Sequence, residues 1–226
     1  VFENVLSHQA ENGGWPKNID TTAKPYTGEK AKLRGTFDNG ATVDELRFLA
    51  RYFGETNEIP ALMALSRGLN LVFKAQYENG GWPQHYPPGK GYHRHITFND
   101  GSMVRLMELM REVATSPTFR VVNGAQRKRA AEAFERGVDC ILKCQIKVKG
   151  ELTVWCAQHD EVDFRPRAAR SYELVSLSGS ESVGIVRLLM SLEDPSPEVR
   201  EAIEAAVAWM KKAELRGIKV EKKNGD

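Results

Sequence analysis

The chain has 226 residues, 41% hydrophobic and 27% charged, which suits one domain with a real core and excludes disorder as the overall state. A formal net charge of +2 gives no bulk attraction to nucleic acid, so an acidic ligand must be gripped locally. No apolar run approaches the roughly 18 residues of a membrane span, and Cys140, Cys144 and Cys156 are too few for a disulfide scaffold and the wrong set for a closed zinc site. The first residues carry no basic-then-apolar leader, so any signal peptide is expected to have been removed.

In chain order, residues 8–16 read His-Gln-Ala-Glu-Asn-Gly-Gly-Trp-Pro and residues 75–83 read Ala-Gln-Tyr-Glu-Asn-Gly-Gly-Trp-Pro. A worn third copy runs from Gln145 through Gly150 to Trp155. Two good copies and one degenerate copy at a near-constant period predict three structural units. Between them the apolar spacing is helical. Val43, Leu46, Leu49, Ala50 and Phe53 predict a helix over 42–54, and Ala61, Leu65, Leu69, Val72 and Phe73 predict one over 57–76. Further helices are predicted over 102–114, 127–145, 181–192 and 197–212, the last pair parted by Glu193-Asp194-Pro195-Ser196. Ser180 is the expected cap of the helix that opens near Glu181. Three such hairpins predict an all-α fold, an α/α toroid or partial barrel, with a bundle as the alternative. Loops 13–40, 77–101 and 146–180 leave the same end of each pair, so a cleft is expected where they gather.

Those connectors hold tryptophans and tyrosines beside amides and charges, a surface suited to sugar rings. Trp15 and Trp82 recur with their turns, which makes them structural staples first and sugar platforms second. Asp38 and Asp100 stand just before helices and are either N-caps or site residues; Thr42 and Ser102 are at hand to cap in their place. His85, His93 and His95 show no third ligand at zinc spacing and read as solvent-facing loop histidines. The run from Arg165 to Arg170 suits anion binding, since guanidinium forks carboxylates bidentately. The Gly-x-Ser-x-Gly elbow of a serine hydrolase is absent.

Six ordered motifs then carry a resemblance: Asn12-Gly-Gly-Trp-Pro16, Thr36-Phe-Asp-Asn-Gly-Ala-Thr42, His95-Ile-Thr-Phe-Asn-Asp100, Trp155-Cys-Ala-Gln-His-Asp160, Arg167-Ala-Ala-Arg-Ser-Tyr-Glu173 and Ser178-Gly-Ser-Glu-Ser-Val-Gly-Ile185. Together they resemble the pectate lyases of polysaccharide lyase family 10. The resemblance implies a three-hairpin α/α toroid and a secreted, monomeric enzyme that cleaves polygalacturonate by β-elimination with Ca²⁺. It implies Asp38 as a metal and substrate aspartate, Asp100 as a further metal ligand, and Arg170 as the arginine on a uronate carboxylate. Candidate sugar contacts are Trp15, Lys17, Asn39, Trp82, Thr97, His159, Arg167 and Tyr172, besides Arg170. Gly101 stands where several relatives carry an acid or amide, which implies a thinner calcium shell. The family's proton-abstracting arginine is expected beyond the third helix pair, past Lys222-Lys-Asn-Gly-Asp226, so residues 1–226 read as one catalytic domain lacking a C-terminal portion. The rivals are a noncatalytic uronate-binding module and a toroid glycoside hydrolase with paired carboxylates among Asp38, Asp100 and Asp160.

Overall fold

A computed structural model describes residues 1–219 and 221. After the short helix α1 (Phe2–Ser7), three helical hairpins follow in order. They are α2 (Val43–Thr56) with α3 (Ile59–Ala75), α4 (Ser102–Thr115) with α5 (Gly124–Cys144), and α6 (Gly179–Met190) with α7 (Pro197–Lys212). In α2 the buried residues Val43, Leu46, Leu49 and Ala50 form one stripe, the spacing that drives an amphipathic helix against a core. The helix α4 sits between α2 and α6, and α5 sits between α3 and α7, giving the two helical layers of an α/α toroid. The six hairpin helices lie where the apolar periodicity predicts them, with no end shifted by more than three residues. The cap of α6 is Ser178, not Ser180; its hydroxyl donates to the Glu181 carboxylate.

The repeat is a set of physical fastenings. Gln9, Gln76 and Gln145 each donate from the carboxamide to a carbonyl of their own turn (Gly13, Gly80 and Thr153) and to one on the next outer helix (Ala64, Ala133 and Ala202). Each distance lies between 2.8 and 3.0 Å. Trp15, Trp82 and Trp155 are fully buried, and each indole N–H donates to a helix carbonyl upstream, on Val5, Val72 and Ile141. Thr36, Thr97 and Ser178 then donate their backbone N–H to the carbonyls of those same three tryptophans. Glycine is required in the turns: Gly80 has φ +92°, and a Cβ there would sit 2.0 Å from the Arg136 carbonyl oxygen.

Two small sheets lie in the connectors, where sequence periodicity predicts none. β1 (Ile96–Thr97), β4 (Gln158–His159) and β5 (Pro166–Arg167) form an antiparallel sheet pairing Thr97 with Gln158 and Gln158 with Arg167. β2 (Lys147–Val148) and β3 (Glu151–Leu152) form a separate ribbon. The first sheet ties the second connector to the third. Gln84 ties the second to the first, its carbonyl accepting the Phe37 N–H at 2.9 Å.

Candidate functional site

The three connectors converge. A cavity of about 260 Å³ is lined by Lys17, Asn18, Asp38 and Asn39 from the first, Gln84, Tyr92, Asn99 and Asp100 from the second, and Gln158, Arg170 and Glu173 from the third. Two matching turns build its acidic wall. Asp38–Gly40 and Asn99–Gly101 are short 3-10 turns, each following a fully buried phenylalanine, Phe37 or Phe98. Their middle residues, Asn39 (φ 53°) and Asp100 (φ 52°), adopt the left-handed conformation that Asn and Asp tolerate. Asp38 thus corresponds to Asn99, and Asp100 to Asn39. The two aspartates come from staggered positions of the repeat.

Neither aspartate is a helix cap. The start of α2 is secured by Glu45, whose carboxylate accepts the Thr42 N–H at 2.8 Å. Thr42 itself accepts the Trp15 N–H and donates to the Thr36 carbonyl. The Asp100 carboxylate accepts from the Asn99 amide at 2.7 Å. Asp38 is 2% exposed. One of its carboxylate oxygens takes the Lys17 ammonium, and the other, Oδ1, is buried without a hydrogen-bond partner among the described residues. An uncompensated buried carboxylate oxygen is costly and calls for a donor or a cation.

Opposite lies the Arg170–Glu173 pair. Arg170 donates from Nε at 2.9 Å, from its backbone N–H at 3.0 Å, and from a second guanidinium nitrogen. That bidentate bond holds the Glu173 carboxyl below its usual range and keeps the guanidinium charged. The guanidinium also lies 5.2 Å from the ring centre of exposed Tyr172.

Other predicted contacts do not reach the cavity, and the expectation is corrected for each. Trp15 and Trp82 have no exposed surface and cannot stack on a ligand. Thr97 is 2% exposed, and its hydroxyl donates to the His95 carbonyl. His159 is fully buried, accepting the Cys156 N–H at Nε2 and bonding the Phe164 carbonyl through Nδ1. Arg167 is spent on Asp160, to which both Nε and Nη2 reach at 2.8 Å. That leaves Lys17, Asp38, Asn39, Asp100 and Arg170 on the wall, with Tyr172 beside Arg170. Asn18, Gln84, Tyr92, Asn99, Gln158 and Glu173 join them, residues that the sequence marked only as connector content.

With this geometry in place, the similarities to known proteins have a physical setting. Residues 9–226 match the family profile described as pectic acid lyase. The chain belongs to that family. A family 10 polysaccharide lyase from Cellvibrio cellulosa has a similar structure at 41% identity and a TM-score of 0.85. A mutant of it in complex with trigalacturonic acid gives 40% identity and a TM-score of 0.86. Each superposition covers 92% of this chain but only 65% or 66% of the solved one, so the chain spans just under two thirds of those relatives. No curated protein matches.

The chain has a second acidic group outside the cavity, formed by His95, Asp160 and Glu161. It corrects the solvent-facing reading of His95, which is buried and 2.8 Å from Glu161. Two arginines already balance it: Arg94 reaches Glu161 at 2.9 Å, and Arg167 reaches Asp160. Asp160 also accepts the Val162 and Asp163 N–H groups, which with Arg167 outweigh burial and hold its carboxyl low. Its ligand atoms are taken, so it works as a clamp between connectors. The orphaned oxygen of Asp38, among the carboxylates and amides of the cavity, is the better fit for a hard cation such as calcium.

Proposed function

We propose that the chain carries the site of a pectate lyase, cleaving polygalacturonate by calcium-assisted β-elimination outside the cell as a monomer. The observation that supports it best is the meeting of Asp38, Asp100 and Arg170, from three separate connectors, in one polar cavity. Asp38 and Asp100 would hold the calcium ion with amide oxygens nearby, and the site fits because Asp38 Oδ1 has no partner among the described residues. Bound there, calcium would withdraw charge from a uronate carboxylate and acidify the proton on C5.

The chain's own residues do the rest. Arg170 exchanges Glu173 for the substrate carboxylate, presenting a planar fork that is already charged and held in place. Lys17 shields the second oxygen of Asp38, and Asn39, Asn99 and Gln158 offer amides for sugar hydroxyls. Arg170 is the one arginine on the cavity wall among the described residues. Turnover by this chain alone would place the proton acceptor within residues 1–226, although Arg170 as it stands is charged and has no lone pair for the proton. Tight binding without turnover would leave it the carboxylate clamp and put the base elsewhere, as the resemblance implies.

Polygalacturonate and calcium supply the test, read by the ultraviolet absorbance of the unsaturated product. New reducing ends without absorbance would mark a hydrolase, and binding without either would mark a uronate-binding module.

A further inference from the structure

The two arginine–carboxylate forks of the third connector are built differently. Asp160, the acid of the Arg167 fork, is buried and also accepts the Val162 and Asp163 N–H groups, so that pair is fastened to the fold. Glu173, the acid of the Arg170 fork, gives both oxygens to Arg170 and accepts from no other donor among the described residues. Two backbone bonds already close the turn between them. The Glu173 N–H reaches the Arg170 carbonyl at 2.8 Å, and the Ala169 N–H reaches the Glu173 carbonyl at 3.0 Å. The turn therefore keeps its shape without the side-chain pair. Both partners stand on the cavity wall, with the Arg170 side chain half exposed, and a solvated ion pair opens at little cost.

The pair has the geometry of a bound ligand. Nε and a second guanidinium nitrogen of Arg170 meet the two Glu173 oxygens side by side, the arrangement a guanidinium offers any free carboxylate. Those bonds hold the Glu173 carboxyl below its usual range, so the acid stays ionised at neutral pH.

We propose that Glu173 is an internal competitor, occupying the place of the substrate carboxylate on Arg170 and setting which sugars can take it. This rests on the proposed polyuronate reading of the cavity. Tethered three residues away, Glu173 meets Arg170 at an effective concentration fixed by the turn and not by the solution. A galacturonate unit displaces it by exchanging one charge-assisted fork for another. A methyl-esterified unit brings only a neutral carbonyl, whose bond is about half as strong, and leaves the pair closed. The empty site is thus shut to neutral sugars by its own glutamate, and its affinity for acidic ones is held below what Arg170 could give.

Calorimetric titration at fixed calcium with trigalacturonate and with its methyl ester, on the wild type, Glu173→Gln and Glu173→Asp, reads the competition. Glu173→Gln keeps the shape but competes with neutral bonds. It should bind trigalacturonate about threefold to tenfold more tightly than the wild type, and the ester within about twofold. Glu173→Asp keeps the charge on an arm too short for the full fork and should show part of that gain. Unchanged or weaker trigalacturonate binding in both variants would overturn the competitor and make Glu173 a prop for Arg170. So would a gain in Glu173→Gln with none in Glu173→Asp, the mark of charge repulsion alone, or an equal gain for the ester. No binding of trigalacturonate by any of the three proteins would instead overturn the polyuronate reading beneath it, a distinct result.

Discussion

Lowering the pH from 8 to 5 is a perturbation to which His159 should respond through the fold. The imidazole is fully buried and committed at both nitrogens, accepting from Cys156 at 3.0 Å and bonding the Phe164 carbonyl at 2.7 Å. Burial pulls its pKa from 6.5 down to about 4 against the pull of those hydrogen bonds. The folded value lies below the unfolded one, so between them the unfolded chain binds more protons and stability falls as acid is added. The contribution is complete above pH 6.5 and is lost progressively towards pH 4. Against pH 8, the linkage relation gives a loss of about 2 kcal/mol at pH 5 and about 3 kcal/mol at pH 4. Two kcal/mol corresponds to a drop of about 4–8 °C in Tm for a chain of this size. Urea unfolding of the wild type and His159→Gln at pH 8 and pH 5 isolates the effect. The variant should be less stable at pH 8, but its loss on acidification should be smaller than the wild type's by about 2 kcal/mol. Equal losses in the two proteins would refute the reasoning. Because β4 pairs with both β1 and β5, the same protonation loosens the strand that carries Gln158 into the cavity.

Three further substitutions separate scaffold from site. Trp82→Ala should cost about 3–5 kcal/mol by denaturant titration, as for other buried aromatics; selective loss of uronate binding without loss of stability would restore its role as a sugar platform. Gly80→Ala should cost more than about 1 kcal/mol, since both the positive φ and the Arg136 carbonyl oppose a Cβ; an unchanged Tm would show that α5 can yield. Asp38→Ala should abolish the calcium dependence of oligogalacturonate binding by calorimetry. It should shift Tm by less than about 4 °C, roughly 1 kcal/mol, since it removes an unsatisfied buried oxygen and leaves Lys17 in reach of water. A large fall in Tm would instead return Asp38 to a structural role.

Much of the scaffold was legible because helix formation follows local apolar spacing. The stripe of Val43, Leu46, Leu49 and Ala50 and the start at Pro197 are visible to anyone counting residues. The recurring Trp15 and Trp82 were legible as repeats but not as burial depth, and a residue that recurs with its turn proves to serve the turn. The two-residue strands were illegible because a period of two leaves no trace in two residues. With them went the fate of Thr97, His159 and Arg167, whose side-chain partners are set by how each connector folds back on itself. Asp38-Asn39-Gly40 and Asn99-Asp100-Gly101 stood out in the sequence as equivalent points of successive units. The backbone has the same register, with the left-handed residue second in each turn, at Asn39 and Asp100. Gln84 and Glu173 escaped notice as site residues because a lone glutamine or glutamate in a long loop carries no pattern.

The claim that residues from separate connectors grip a single uronate is tested most directly by a double-mutant cycle. Trigalacturonate affinity with calcium present would be measured for the wild type, Asp38→Ala, Arg170→Ala and the double variant. Convergence on one ligand predicts a coupling of about 0.5–3 kcal/mol, the second substitution costing far less once the first is made. Strictly additive losses would mean that Asp38 and Arg170 act on different things, and the shared cavity would have no functional meaning.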